Sequence, residues 1–107
     1  MSRIVMKFGG TSVGSVERIN HVAEIVRSEV DLQNQVVVVL SAMAGETDRL
    51  VNLTKELSKD FPVSEYDVVI SSGEQVSVGA LSGLLNSSSL ILAPMSPIHY
   101  LLLVHII

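Results

Sequence analysis

The hydrophobic positions in the first part of the chain follow two patterns, continuous runs and a helical repeat. The run Ile4–Phe8 is short, apolar apart from one lysine and followed by glycines, which predicts a buried strand. From Val16 to about Val30, apolar residues recur every three or four positions with charged residues between them, and Ser15 is placed to cap this helix. The β-branched run Val36–Leu40 predicts a second strand, covered on both faces as in a parallel sheet.

The following segments are dominated by helical patterns. A second amphipathic helix is predicted from Glu46 to about Lys59. Ser64–Ile70 predicts a third helix, although Val68–Ile70 also fits a strand. Ser71–Gly73 is typical of a break, after which a further helix is predicted from Glu74 to about Leu85. The order β-α-β-α-α-α predicts an α/β domain with a parallel sheet and right-handed crossovers.

Composition narrows the classes of function. The chain has 107 residues, enough for one small domain, and its net charge of −4 disfavours general binding to nucleic acid or to anionic membranes. The absence of cysteine excludes disulfides, thiol chemistry and zinc–thiolate sites. The three histidines lie far apart, so no metal site is predicted. Lys7 and the glycines after it interrupt any signal-peptide pattern, and we therefore expect a cytoplasmic location.

Charge disappears from the last third of the chain. No Asp, Glu, Lys or Arg follows Glu74, although part of a folded soluble domain must face water. The apolar run Ile98–Ile107 is too short to span a membrane. Two interpretations remain open: a buried element separated from its partner, or sequence read out of its proper frame.

Small polar loops follow both predicted strands. Gly9–Ser12 follows the first strand and Ser41–Thr47 the second. Parallel sheets bind ligands beyond the carboxyl ends of their strands, so the two loops are expected to share one crevice. Lys7 offers a full positive charge, and the glycine-rich loop allows backbone N–H groups to approach a phosphate. The glycine spacing fits neither a Walker A loop nor a dinucleotide fingerprint, and a tight turn with a surface lysine explains the first loop equally well.

Three segments together carry a family resemblance. Lys7–Ser12, Val38–Asp48 and Ser71–Ser77 resemble, in order and spacing, the N-terminal part of aspartokinases, which belong to the amino-acid kinase family. The resemblance implies a three-layer αβα fold with a parallel sheet, of which residues 1–85 form the N-terminal portion. Residues 86–107 form an uncharged apolar tail that departs from the family pattern. The family's catalytic domain is longer, so the resemblance implies a truncated domain with little or no kinase activity of its own.

The resemblance also implies a reaction and a set of site residues. Aspartokinases transfer the γ-phosphoryl group of ATP, with Mg²⁺, to the side-chain carboxylate of L-aspartate, giving 4-phospho-L-aspartate for lysine, threonine and methionine synthesis. By resemblance, Lys7 contacts the transferring phosphoryl group, and Thr47 and Glu74 hold L-aspartate. The implied ATP site consists of Lys7, Phe8, Gly9, Gly10, Thr11, Ser12 and Ser41. No residue is assigned to a metal.

Simpler roles and other functions stay open beside this one. Thr47 also fits an N-cap, and Glu74 a first-turn acid favoured by the helix dipole. One alternative function is a non-catalytic fragment or interaction module, and another is a different amino-acid kinase, which the Ser72–Glu74 segment disfavours. The expected partners are small molecules rather than nucleic acid or membrane. In the full-length family a homo-oligomer is also possible.

Overall fold

The computed structural model describes residues 2–87 and the backbone of residues 101–105. The elements are, in order, β1 (Arg3–Phe8), a 3-10 turn (Gly10–Val13), α1 (Val16–Asp31), β2 (Gln35–Leu40), α2 (Glu46–Leu57), α3 (Val63–Ser87) and β3 (Leu101–His105). The two predicted strands and the first two predicted helices are confirmed, with ends that differ by at most two residues. Ser15 caps α1 as predicted, because its hydroxyl accepts a hydrogen bond from the Arg18 backbone N–H at 3.2 Å.

The strands form a parallel sheet in the order β1-β2-β3, with β2 in the centre. Phe8 lies opposite Leu40, so β1 and β2 end together at one edge of the sheet. β3 was not predicted from the sequence. Its backbone pairs with β2, so the interpretation of the apolar tail as an element without a partner is wrong for Leu101–His105. Most of the remaining predicted tail, including residues 88–100, lies outside the described residues.

The hydrophobic core lies on one face of this sheet. Val36, Val38 and Leu40 of β2 are buried there, and side chains of β1, α1 and α3 pack around them. On the opposite face Val5 is 66% exposed and Val39 is half-buried. Within the described part of the chain the helices therefore cover one face of β2, whereas the valine run predicted cover on both. A continuous β-branched run favours a strand without fixing how many of its faces are covered.

The predicted break at Ser71–Gly73 is wrong, because α3 runs through it without interruption. The hydroxyl of Ser71 donates to the Val68 carbonyl at 3.2 Å, and that of Ser72 donates to the Val69 carbonyl at 2.6 Å. These bonds satisfy both serine side chains within the helix. The strand alternative for residues 68–70 is wrong for the same reason.

One stripe of α3 faces the interior of the molecule. Its members recur at helical spacing: Ile70, Gly73, Glu74, Ser77, Leu81 and Leu85. α3 is also long and apolar enough to cross a membrane by length and composition alone, a criterion that core helices of soluble proteins satisfy as well. Here the stripe packs against α1, α2 and the sheet.

Candidate functional site

Two loops meet at the sheet edge where β1 and β2 end. We call Gly9–Ser12 the first loop and Ser41–Gly45 the second loop. The Ser41 backbone N–H donates to the Phe8 carbonyl at 3.2 Å, and the Ala44 N–H donates to the Gly10 carbonyl at 3.1 Å. The two loops therefore meet as predicted, since neighbouring parallel strands end at the same edge of the sheet.

Gly10 is the point of closest approach between the loops. A Cβ at this position would lie 2.9 Å from the Ala42 carbonyl oxygen and 3.3 Å from the Ala44 nitrogen. Both neighbours are backbone atoms held by the strand that precedes them, so they cannot give way as the end of a flexible side chain would. The first loop keeps its position against the second because residue 10 carries no side chain.

The side chains around the first loop divide between core and solvent. Phe8 packs against the core and is half-buried, whereas Lys7 is exposed on the sheet face opposite α1 and α3. Thr11 is exposed and Ser12 is half-buried, and the Ser12 N–H closes the turn on the Gly9 carbonyl at 3.0 Å. A cation and two hydroxyl side chains thus lie within a few residues of one another at the end of β1, with Phe8 as their anchor in the core.

The third motif reaches the same place from α3. A Cβ at Gly73 would lie 3.2 Å from the Ala42 Cβ, which brings this helix against the second loop. The next residue, Glu74, is only 6% exposed and lies in the interior of α3. The explanation of Glu74 as a first-turn acid is therefore wrong. All three motifs converge on the second loop.

Thr47 lies in the first turn of α2, directly after that loop. The helix starts at Glu46, and Gly45 is its N-cap with a φ of 81°. The alternative role of Thr47 as an N-cap is therefore wrong. Thr47 is exposed to solvent whereas Glu74 is buried, so the two predicted aspartate-binding residues differ in their access to a ligand.

Two close contacts of this site were not singled out in the sequence, those of Ala42 and Gly73. The available signal was the run of small residues in the second loop and the Ser-Ser-Gly segment of α3, because small residues allow backbones to approach closely. In isolation the Ser-Ser-Gly segment is typical of a chain break, which gives no indication of a contact between the helix and the loop.

A surface ion pair follows the second loop, between Glu46 and Arg49. The Arg49 Nε lies 3.1 Å from each carboxylate oxygen of Glu46, and this hydrogen bonding lowers the pKa of the Glu46 carboxyl. We expect Arg49→Met to raise that pKa back towards the ordinary glutamate range, measured by carboxyl-carbon NMR titration. Because the pKa is lowered on folding, the pair stabilises the fold above the unfolded-state pKa. That contribution is lost as pH falls through the lowered value.

Arg18→Met is the matched control for this titration. Arg18 lies on α1, so this substitution removes the same charge at a position away from Glu46. It should leave the pKa of Glu46 unchanged. Equal titration of Glu46 in both variants would contradict the assignment.

The described residues contain no group of three or more His, Asp or Glu side chains that could hold a metal ion. The two loops offer hydroxyls and backbone groups without a carboxylate cluster. They do not fit a dedicated Mg²⁺ site, for which protein carboxylates are the usual ligands.

Comparison with known proteins identifies the family. The model of the amino acid kinase family matches residues 2–103. The chain is 56% identical over 82 residues to an aspartokinase of Geobacillus stearothermophilus and 51% identical over 82 residues to an aspartate kinase of Pseudomonas putida. Each match includes 77% of this chain and 20% of the relative, so the chain spans about a fifth of the length of these proteins.

A solved structure gives the same result. The crystal structure of an aspartate kinase from Synechocystis superposes with a TM-score of 0.74 at 48% identity, over 78% of this chain and 14% of that one. The resemblance to aspartokinases seen in three sequence motifs is thereby confirmed. With those motifs gathered at one sheet edge and the family model matching nearly every residue, the chain belongs to the amino acid kinase family.

Proposed function

We propose that this chain forms the ATP-phosphate and aspartate-binding portion of an aspartate kinase. The reaction is attack of a side-chain carboxylate oxygen of L-aspartate on the γ-phosphorus of ATP, with release of ADP. The observation that carries the proposal is the convergence of the Lys7, Ser41 and Gly73 segments on one edge of the sheet. Relatives named as aspartokinases, similar over these same segments, give further support.

In this proposal the end of β1 and the first loop hold the phosphates. Lys7 is exposed and carries a full charge, which suits the γ-phosphoryl group as negative charge shifts towards the leaving oxygen. Gly9, Gly10 and Thr11 present backbone N–H groups and a hydroxyl beside it, with Ser12 completing the turn. Ser41 lies at the same sheet edge, where its backbone N–H donates a hydrogen bond to the Phe8 carbonyl. Its side chain adds a hydroxyl from the second loop.

Thr47 and Glu74 are proposed to hold L-aspartate. The Thr47 hydroxyl is exposed and can donate to a substrate carboxylate, and the Glu74 carboxylate can accept from the α-ammonium group. Because Glu74 is buried, it would act from a low-dielectric position where an ion pair is stronger than in water. Positioning two anionic substrates against each other accounts for most of the catalysis in such transfers.

The remaining features of the proposal follow from the reaction. ATP would bind as its Mg²⁺ complex. The partners are the small molecules ATP and L-aspartate, and the reaction would serve lysine and threonine synthesis in the cytoplasm. Residues 1–85 act as the N-terminal portion of the kinase domain, and residues 86–107 as a tail that departs from the family pattern. A homo-oligomer is proposed for the full-length members of the family.

The proposal is tested by titrating the ¹⁵N-labelled 107-residue chain with Mg-ATP and, separately, with L-aspartate. We expect Mg-ATP to shift the amide resonances of Lys7–Ser12 and Ser41, and L-aspartate to shift those of Thr47 and Glu74. Succinate lacks the ammonium group and should shift Glu74 far less, because its proposed partner is missing. Release of ADP is followed in parallel by a coupled assay.

Each alternative function predicts a different result. A non-catalytic interaction module predicts no response to either ligand, and this result would overturn the proposal. A different amino-acid kinase predicts larger shifts with another carboxylate substrate, such as L-glutamate, than with L-aspartate. Binding of both ligands without ADP release would assign binding to this segment and place the rest of the catalytic groups beyond it.

A further inference from the structure

We propose that Gly73 is a positioning residue that sets the distance between α3 and the second loop. A Cβ at Gly73 would lie 3.2 Å from the Ala42 Cβ, 3.2 Å from the Leu50 Cδ1 and 3.4 Å from the Glu46 Cγ. Contacts this close are tighter than nine in ten that real Cβ atoms make, so a methyl group here requires its neighbours to give by a few tenths of an ångström. The end of the Leu50 side chain can rotate away, whereas the Ala42 Cβ moves only with the second loop, so we expect the helix and the loop to separate. Gly73 is therefore what allows Glu74, the next residue, to lie as close to the loop as it does.

The other glycines of α3 show that this contact is specific. A Cβ at Gly79 or at Gly83 would have no neighbour within 4 Å. All three glycines lower helix stability relative to alanine, since glycine loses more backbone entropy on folding. Of these three glycines, only Gly73 has close neighbours in the described structure that require the absence of a side chain.

Ala42 connects this contact to the first loop. Its Cβ faces Gly73, whereas its carbonyl oxygen would lie 2.9 Å from a Cβ at Gly10. Ala42 is buried and thus fixed between the helix and the first loop. A displacement of Ala42 by α3 would pass to Gly10 through backbone atoms. The spacing set at Gly73 thus governs both the position of Glu74 and the shape of the first loop.

The consequence for ligands rests on the proposed function. Thr47 follows the second loop, and Glu74 lies on α3. A wider gap between the loop and the helix would therefore place these two proposed aspartate contacts farther apart. Loss of one ordinary hydrogen bond lowers a binding affinity by up to about tenfold, so stretching one of these contacts should weaken L-aspartate binding by no more than that. Gly73 itself has no side chain with which to bind a ligand.

The test compares Gly73→Ala with Gly79→Ala in the full chain. Both variants replace an α3 glycine by the best helix former, but only the first meets a neighbour. We expect Gly73→Ala to shift the amide resonances of Ser41–Gly45 and Gly9–Ser12 and to weaken L-aspartate binding by up to about tenfold. Gly79→Ala should leave both loops and the affinity unchanged.

A second substitution makes the test independent of general destabilisation. Ala42→Gly removes one of the two atoms closest to the added methyl; the other, the Leu50 Cδ1, is the end of a flexible side chain. The Gly73→Ala/Ala42→Gly double variant should therefore show the same loop resonances and the same affinity as the Ala42→Gly single variant. Loop resonances in Gly73→Ala that match those in Gly79→Ala, or a double variant without recovery, would overturn the inference. If the unsubstituted chain binds no L-aspartate, the proposed function fails, and the loop resonances still decide the role of Gly73.

Discussion

Mg-ATP should bind the Lys7→Ala variant about tenfold to a hundredfold more weakly than the unsubstituted chain. The proposed phosphate site has one exposed cation at the end of β1, and a hydrogen bond to a charged group contributes about 1.5–3 kcal/mol. A loss of 1.4 kcal/mol corresponds to a factor of ten in the dissociation constant. Because Lys7 is exposed and outside the core, its removal should leave the fold intact. Isothermal titration calorimetry measures the affinity, and circular dichroism checks the fold.

Arg3→Ala is the matched control for this substitution. Arg3 lies on β1 four residues before Lys7 and on the same exposed face, because side chains alternate along a strand. At about 3.3 Å per residue the two positions are about 13 Å apart, so Arg3 is near the opposite end of the strand. Its side chain donates to Gln35 Oε1 at 3.2 Å rather than lying near either loop. If both variants weakened Mg-ATP binding equally, the effect of Lys7 would come from net charge alone and would contradict its proposed contact with the phosphates.

Leu81→Ala should lower the free energy of unfolding by about 2–5 kcal/mol, the usual range for truncating a fully buried leucine. Leu81 is 0% exposed and belongs to the core between α1, α3 and β2. Alanine would leave a cavity that these packed elements can close only in part. Urea denaturation followed by circular dichroism gives the change in free energy, and for a small domain such a loss is a large share of the total.

Leu57→Ala provides the control, since Leu57 ends α2 and is 67% exposed. Its truncation should change the free energy of unfolding by no more than about 0.5 kcal/mol. Similar small losses in both variants would mean that the second half of α3 does not pack on the core. The comparison therefore also tests the packing of the second half of α3 on the core.

The elements with strong local signals were predictable from sequence. β1 and β2 are short apolar runs ended by small residues, and α1 combines a serine cap with an apolar stripe. The meeting of the two loops followed from topology, since parallel neighbours end at one edge. Local patterns and one connection rule were therefore enough to place Lys7 near Ser41.

Features decided by tertiary contacts were not predictable in this way. Ser71 and Ser72 favour turns in isolation, and they remain helical here because the helix packs on α2 and the second loop. Their hydroxyls bond to carbonyls one turn earlier and are thereby satisfied within the helix. β3 carries an apolar run with no turn signal that distinguishes it from a buried helix, and its pairing with β2 involves residues far away in sequence. Burial of Glu74 likewise depends on the continuity of α3.

The central position of β2 has a consequence for how the chain folds. β1 and β2 are joined by a single helix, whereas residues 41–100 separate β2 from its other neighbour, β3. Closing the longer connection costs more chain entropy before any pairing is gained. We therefore expect the β1–α1–β2 unit to form first and β3 to be added last. During synthesis the outer edge of β2 would stay unpaired until residues 101–105 emerge, and an unpaired edge of that kind invites association with other strands.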